Sequence, residues 1–202
     1  ILYYNGNTRL ARVRNNVRLI HRETILTTDS LNYDRMKGVA YYFGSGTIRD
    51  SINTLRSQLG FYTPSTNQAI FRKNVSLENA SFSMSTDTLY YNTETHIAKL
   101  VSPTNILYEG ETTILSSNGL YNTETEQSNL YDRSKILHQD GKTLIGDTIL
   151  YNKLTGFGKF IGHIEAVDSV QQATLMGNYC ELYEHSNTGF VTDSALVIDW
   201  SQ

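Results

Sequence analysis

The sequence is short of cysteine, proline, charge and long apolar runs. Cys180 is the single cysteine in 202 residues, so no intrachain disulfide can form. A lone thiol fits the cytosol and a disulfide-free periplasmic protein equally. No apolar stretch approaches the about 18 residues that a membrane-spanning helix needs. Charged residues make up 18% of the chain and the net charge is −3. That balance lacks the basic field of a general nucleic-acid binder, so nucleic acid is not an expected partner. Reactive constellations are missing too. His21, His96, His138, His163 and His185 are dispersed, and none has metal-ligand spacing. His163-Ile164-Glu165 is not followed by the Pro-Cys-x-x-Cys of a deaminase. The glycines of Gly156–Gly162 miss the dinucleotide-loop spacing, and no helix is expected after them. Asp29, Asp87 and Asp147 lie about two repeat units apart and read as turn or strand-start residues, not as an acid/base pair. Neither catalysis, metal nor cofactor is expected.

What the chain does have is tyrosine, 14 of them, together with abundant Thr, Asn and Ser. Tyr and Thr suit pleated, half-buried surfaces, while Asn, Ser and Gly suit turns. The expected class is all-β. The tyrosines are also periodic. Tyr4, Tyr33, Tyr62, Tyr91, Tyr121 and Tyr151 are each followed by Asn, Asp or Thr, at intervals of 29, 29, 29, 30 and 30. Seven residues after each stands a small one: Ala11, Ala40, Ala69, Ala98, Ser128, Gly158. Nine residues after stands a large one: Val13, Tyr42, Phe71, Leu100, Leu130, Phe160. Fifteen or sixteen after come Leu19, Ile48, Leu77, Leu107, Leu137 and Val167; 22 or 23 after come Leu26, Leu55, Met84, Ile114 and Leu144. A seventh unit, from Gly177, breaks the pattern as a cap or edge does.

Each unit holds two turn-like stretches. One follows the Tyr, as in Asn92–Thr95; the other sits mid-unit, as in Glu109-Gly110-Glu111 and Gln139-Asp140-Gly141-Lys142. Two turns in 29 residues leave strands of about ten, and tight turns make neighbours antiparallel. Alternation gives each strand one apolar and one wet face: Ala11, Val13, Val17 and Leu19 against Arg12, Arg14, Asn16 and Arg18. Leu26 lies an odd number of residues before Leu31 and Tyr33, yet all three read as inward. That parity switch predicts a bulge or bend inside each strand. Bent antiparallel strands predict an elongated jelly roll or trough. A parallel β-helix is the alternative, though it needs no pair of hairpin turns per period.

The phrase Thr28-Asp29-Ser30-Leu31-Asn32-Tyr33-Asp34 returns as Thr86-Asp87-Thr88-Leu89-Tyr90-Tyr91-Asn92 and as Gly146-Asp147-Thr148-Ile149-Leu150-Tyr151-Asn152. Together with Gly38-Val39-Ala40 and Asn74-Val75-Ser76-Leu77, it resembles the OstA-type repeat over essentially the whole chain. That family includes the periplasmic lipopolysaccharide-transport bridge and the N-terminal periplasmic domain of its outer-membrane partner. The resemblance implies a bent, open β-jelly roll with acyl chains in its apolar interior. It also implies edge-to-edge pairing with like domains, a periplasmic location and no enzymatic activity. The expected lining is Val13, Leu19, Leu26, Leu31, Tyr42, Ile48, Leu55, Phe71, Leu77, Met84, Leu89, Leu100, Leu107, Ile114, Leu130, Leu137, Leu144, Ile149 and Phe160. Departures from the pattern are Gly60 and Gly119 at the Leu31 position, and Gln58 and Ser117 at the Asp position. The same apolar columns also fit a closed core that holds no lipid.

Among Arg9, Arg12, Arg14, Arg18 and Arg22, the candidates for a phosphate or partner contact are Arg12, Arg14 and Arg18. A solvated outer face is the other reading of them. The chain is expected to be one domain, 1–202, of a longer exported protein whose export signal lies outside it.

Overall fold

The computed structural model describes residues 1–21, 23–186 and 188–200; of His21 it describes the backbone alone. Arg22, in the expected basic stretch, lies outside the described residues. The protein is all-β, with 19 strands and one 3₁₀ turn (Glu184–Ser186) among the described residues. Backbone contacts divide it into two units, Ile1–His96 and Ile97–Gln202.

In the first unit, seven strands follow one another: β1 (Leu2–Asn5), β2 (Leu10–His21), β3 (Thr24–Asp34), β4 (Val39–Arg49), β5 (Thr54–Thr63), β6 (Gln68–Glu78) and β7 (Phe82–Asn92). Each pairs antiparallel with the next. In the second unit the strands break near their middles. The leading halves are β8 (Ile97–Leu100), β11 (Asn118–Asn122), β12 (Gln127–Tyr131) and β15 (Thr148–Asn152). The trailing halves are β9 (Thr104–Tyr108), β10 (Thr112–Ser116), β13 (Ser134–His138) and β14 (Lys142–Gly146). Both ladders run into the continuous β16 (Phe157–Asp168) and β17 (Ala173–Tyr183), and they end on β18 (Thr188–Thr192) and β19 (Leu196–Asp199).

The turns form where Asn, Asp and Gly stand. The side-chain oxygens of Asn5, Asp34, Asn92 and Asn122 each accept two backbone N–H bonds from the residues two and three positions on. Asp50, Asn79 and Asp168 do the same at the other ends of their strands. Glu109 and Gly110 both take positive φ, and the Glu111 N–H closes the turn on the Tyr108 carbonyl.

Bulges are present, but on alternate strands (β2, β4, β6 and β16) and not inside each strand as expected. Asn15 and Asn16 stand opposite Asp29 alone, since Arg14 pairs with Ser30 and Val17 with Thr28. Two residues face one again at Gly44-Ser45, Lys73-Asn74 and Gly162-His163. All eight of these residues have positive φ, as do Asp132-Arg133 and Asp193-Ser194. Each pair contains a Gly, Asn or Asp, the residues that tolerate this conformation best. On the bulged strand the inward residues keep one parity (Val13 and Val17, Tyr42 and Gly46, Phe71 and Val75). The switch falls on the facing strand (Thr28 to Leu31, Ser57 to Gly60, Thr86 to Leu89), so apolar side chains stay inward on both sides of the bend. In the first unit Val13 and Leu31, before and after their bulges, pack with Val17, Leu26 and Tyr42 in one cluster.

Tyr42 holds this region shut. A Cβ on Gly60 would lie 2.2 Å from its ring, and one on Gly46 2.5 Å. The side chain thus lies flat on two glycines, and its hydroxyl meets Ser57 Oγ at 2.6 Å. The departure at Gly60 from the Leu31 pattern is explained by this contact. Gly60→Val should destabilise by about 1–3 kcal/mol through overpacking, and Tyr42→Ala by about 3–5 kcal/mol through the cavity it leaves. The double variant should lose clearly less than the sum, measured by denaturant unfolding; strict additivity would refute the contact.

Candidate functional site

Register assembles an inner row on the leading side of the bends. In the first unit it runs Val13, Leu31, Tyr42, Gly60, Phe71, Leu89. In the second it runs Leu100, Gly119, Leu130, Ile149, Phe160, Cys180. Leu89, Leu100, Leu130, Ile149 and Phe160 are almost completely buried. The trailing row of the first unit is Leu19, Leu26, Ile48, Leu55, Leu77 and Met84. Leu55, Leu77 and Met84 are buried and Leu26 and Ile48 half-buried. Leu19 is exposed. It sits on the trailing half of β2, which β1 does not reach; β1 pairs only with Leu10–Val13.

In the second unit the trailing inner row is Ile106, Ile114, Ile136, Leu144, Ala166 and Leu175. Ile114 and Leu144 stand where expected. Leu107 and Leu137 do not. They lie on the opposite face, in register with Thr113 and Thr143, and Leu107 is 41% exposed while Ile106 is 7% exposed. The cause is the mid-unit turn. In the first unit Arg49 pairs with Thr54 across a four-residue loop; in the second, Tyr108 pairs with Thr112 across three residues. The extra residue of the longer period therefore lies beyond Ile106, and the column stays fifteen residues after the Tyr.

Between the leading and trailing rows runs one that sequence reasoning missed. It contains Thr28, Ser57, Thr86, Thr104, Ser116 and Ser134, all buried. The hydroxyls turn to carbonyls across the bend. Ser57 donates to Leu59 O at 2.9 Å, Thr104 to Ser102 O at 2.8 Å, Ser116 to Asn118 O at 3.0 Å and Ser134 to Tyr131 O at 3.0 Å. Thr28 donates to Ser45 O at 2.7 Å. These bonds satisfy carbonyls at the bends, where a buried carbonyl left unpaired would cost about 1–3 kcal/mol. The signal was the hydroxyl directly before each Asp in Thr28-Asp29 and Thr86-Asp87.

Asp29 and Asp87 sit within β3 and β7, opposite the bulges and not at strand starts, whereas Asp147 stands directly before β15 as expected. Asp29 accepts the Asn16 N–H at 3.3 Å, and Asn178 accepts the His163 N–H at 3.2 Å. Asp147 meets His163 Nδ1 at 2.6 Å and Arg133 at 3.5 Å. The His163 hydrogen bond holds the Asp147 carboxyl below the usual carboxylate range, with Arg133 adding to it.

The candidate phosphate contacts divide. Arg12 and Arg18 are exposed on the outer face. Arg14 is engaged: it donates to Val13 O, Leu31 O and Asn32 Oδ1, and its guanidinium lies 5.4 Å from the Phe43 ring centre. In the second unit the far ends of the two half-ladders come together. Lys153, just after β15, places its ammonium 4.9 Å over the ring of Tyr108, at the end of β9. Burial raises the Tyr108 hydroxyl's pKa, and Glu109, Glu126 and Glu184 raise it further.

The model of the OstA-like protein family matches residues 1–87 and 72–142. The chain is an OstA-like protein. No curated protein matches it. Among solved structures it is similar to LptH from Pseudomonas aeruginosa, described as the LptA-homologous periplasmic component of the conserved lipopolysaccharide transport device. Identity is 9% and the TM-score 0.32, over 72% of this chain and 93% of that one. Apo AztD from Citrobacter koseri is similar at 8% identity and a TM-score of 0.18, over 92% and 89%. At these TM-scores neither likeness bears on the argument. The OstA-like match indicates no catalytic family.

Because the Asp147 pKa is depressed, its contribution to stability is present above the ordinary carboxylate pKa. It is lost as pH falls through the depressed value. In His163→Ala the Asp147 midpoint, followed by carboxyl ¹³C shifts, should rise. An unchanged midpoint would show that the pair does not form.

Proposed function

We propose that this OstA-like protein is a non-enzymatic periplasmic carrier or bridge for lipopolysaccharide. In this reading its strands form a jelly-roll trough, and the whole chain acts as one domain. The observation that carries the proposal is the pair of continuous inner apolar rows, kept inward on both sides of every bend. Each acyl CH₂ taken out of water is worth about 0.8 kcal/mol, and a multi-chain lipid needs an apolar lining longer than any single pocket. Family membership supports the same reading. The matched stretch 72–142 crosses the boundary between the two units, which supports treating them as one functional domain.

The partners in this reading are like β domains meeting edge to edge. β1 and the trailing half of β2 have one described partner strand each, and so do β18 and β19. Charge supports pairing of unlike edges. The first unit has eleven Lys and Arg against seven Asp and Glu, and the second has six against thirteen.

The second reading is a structural or protein-binding module with a filled core. Tyr42 favours it, since its ring occupies the space over Gly46 and Gly60. Mass spectrometry of lipid released from the denatured protein decides between the two. Acylated glycolipid is expected. Absence of acyl chains, together with failure of added lipopolysaccharide to bind, would leave only the filled-core module. Light scattering should show oligomers that grow with concentration and shrink as salt rises; a monomer under all conditions would exclude edge pairing.

A further inference from the structure

The periodic tyrosines are not used by the inner apolar rows, and register gives them a row of their own. In the first unit it runs Ala11, Tyr33, Ala40, Tyr62, Ala69, Tyr91. Every tyrosine has a small residue on the next strand, so its ring can lie sideways without collision. Strands about 4.8 Å apart put successive tyrosines about 9.5 Å apart. The row shares its face with the Leu31–Tyr42–Phe71 row but lies two residues closer to the hairpin turns, where burial gives out. Phe71 and Leu89 in the row beneath are buried, whereas Tyr33 is 39% exposed and Tyr62 and Tyr91 half-buried.

The hydroxyls point to the turns. Tyr62 Oη donates to Asn67 Oδ1 at 3.5 Å, and Tyr91 Oη lies 3.3 Å from His96 Nδ1. Asn67 and His96 are the positive-φ residues that close their loops. Each ring is therefore apolar at its base and polar at its tip, the arrangement a tyrosine adopts at an apolar–water boundary. The neighbouring turns carry exposed cations. Arg9 and Arg35 are joined through the Arg35 N–H to the Arg9 carbonyl, and Lys37 of the same turn pairs with Asp34 at 3.8 Å.

We propose that this row seats the phosphorylated saccharide headgroup of the glycolipid whose acyl chains occupy the rows beneath; the inference rests on the carrier reading above. The ring faces of Tyr33 and Tyr62 stack on sugar, and Arg9 and Arg35 take phosphate. The corresponding row of the second unit is unsuited to this. There Tyr151 donates its hydroxyl to Glu184 at 2.8 Å, and Glu126 and Glu184 lie close to the tyrosines. Those carboxylates, with Glu109, outnumber Lys153 there and disfavour phosphate.

The test uses the whole chain and three probes: a phosphorylated, acylated glucosamine disaccharide, its dephosphorylated form, and a long-chain fatty acid. Tyr33→Leu/Tyr62→Leu should weaken both disaccharides about tenfold, the loss of one good stacking contact, with fatty-acid binding changed less than about twofold. Arg9→Ser/Arg35→Ser should weaken only the phosphorylated probe. Equal loss for all three probes, or no loss for the disaccharides, overturns the proposal while the carrier reading stands. A wild-type chain that binds none of the three overturns both. Should the double tyrosine variant not fold, Tyr33→Leu alone, at the more exposed position, gives the same readout with a smaller shift.

Discussion

The fold depends on one constraint: a strand that bends must keep its apolar side chains on the same side. Side chains alternate, so a sharp turn in the strand cannot by itself preserve the inner face. Two residues set against one solve the parity problem. They also force both residues into positive φ and interrupt the ladder. The row of Thr28, Ser57, Ser116 and Ser134 satisfies carbonyls at the bends from inside. Asp29 and Asn178 satisfy bulge N–H groups from outside. The Thr-Asp pair in the recurring phrase is thus one hydroxyl facing in and one carboxylate facing out, on the strand opposite the bulge.

Much of this was legible. The odd spacing between Leu26 and Leu31 pointed to a bulge; the bulges are there, on the neighbouring strands β2 and β4 and not on β3 itself. Asn, Asp and Gly marked the hairpin ends, because their side-chain oxygens or positive φ make the turns. The error at Leu107 and Leu137 is instructive. A period that lengthens from 29 to 30 says that a residue has been added, not where. Inward and outward columns both hold Leu or Ile there, so residue type could not place the insertion. Only the pairing of Tyr108 with Thr112 does so.

The tyrosines were legible as a period and not as a row. Tyr33 and Ala40 are seven apart in sequence but face each other across a hairpin, as do Ala40 and Tyr62 across the next bend. The alternation of large and small is a property of neighbouring strands, which a linear count of columns records as two separate facts. Arg14 shows the converse. Its position among four other arginines suggested a ligand contact, while three hydrogen bonds and an aromatic ring account for it locally.

Pairing in the first unit joins each strand only to those before and after it. No strand there has to wait for a distant segment to arrive before it can dock. Loop closure is then short at every step, the condition under which folding is fast. Such a chain can assemble by zippering, one hairpin added to the last. Each newly threaded strand need stay unpaired only until its neighbour appears.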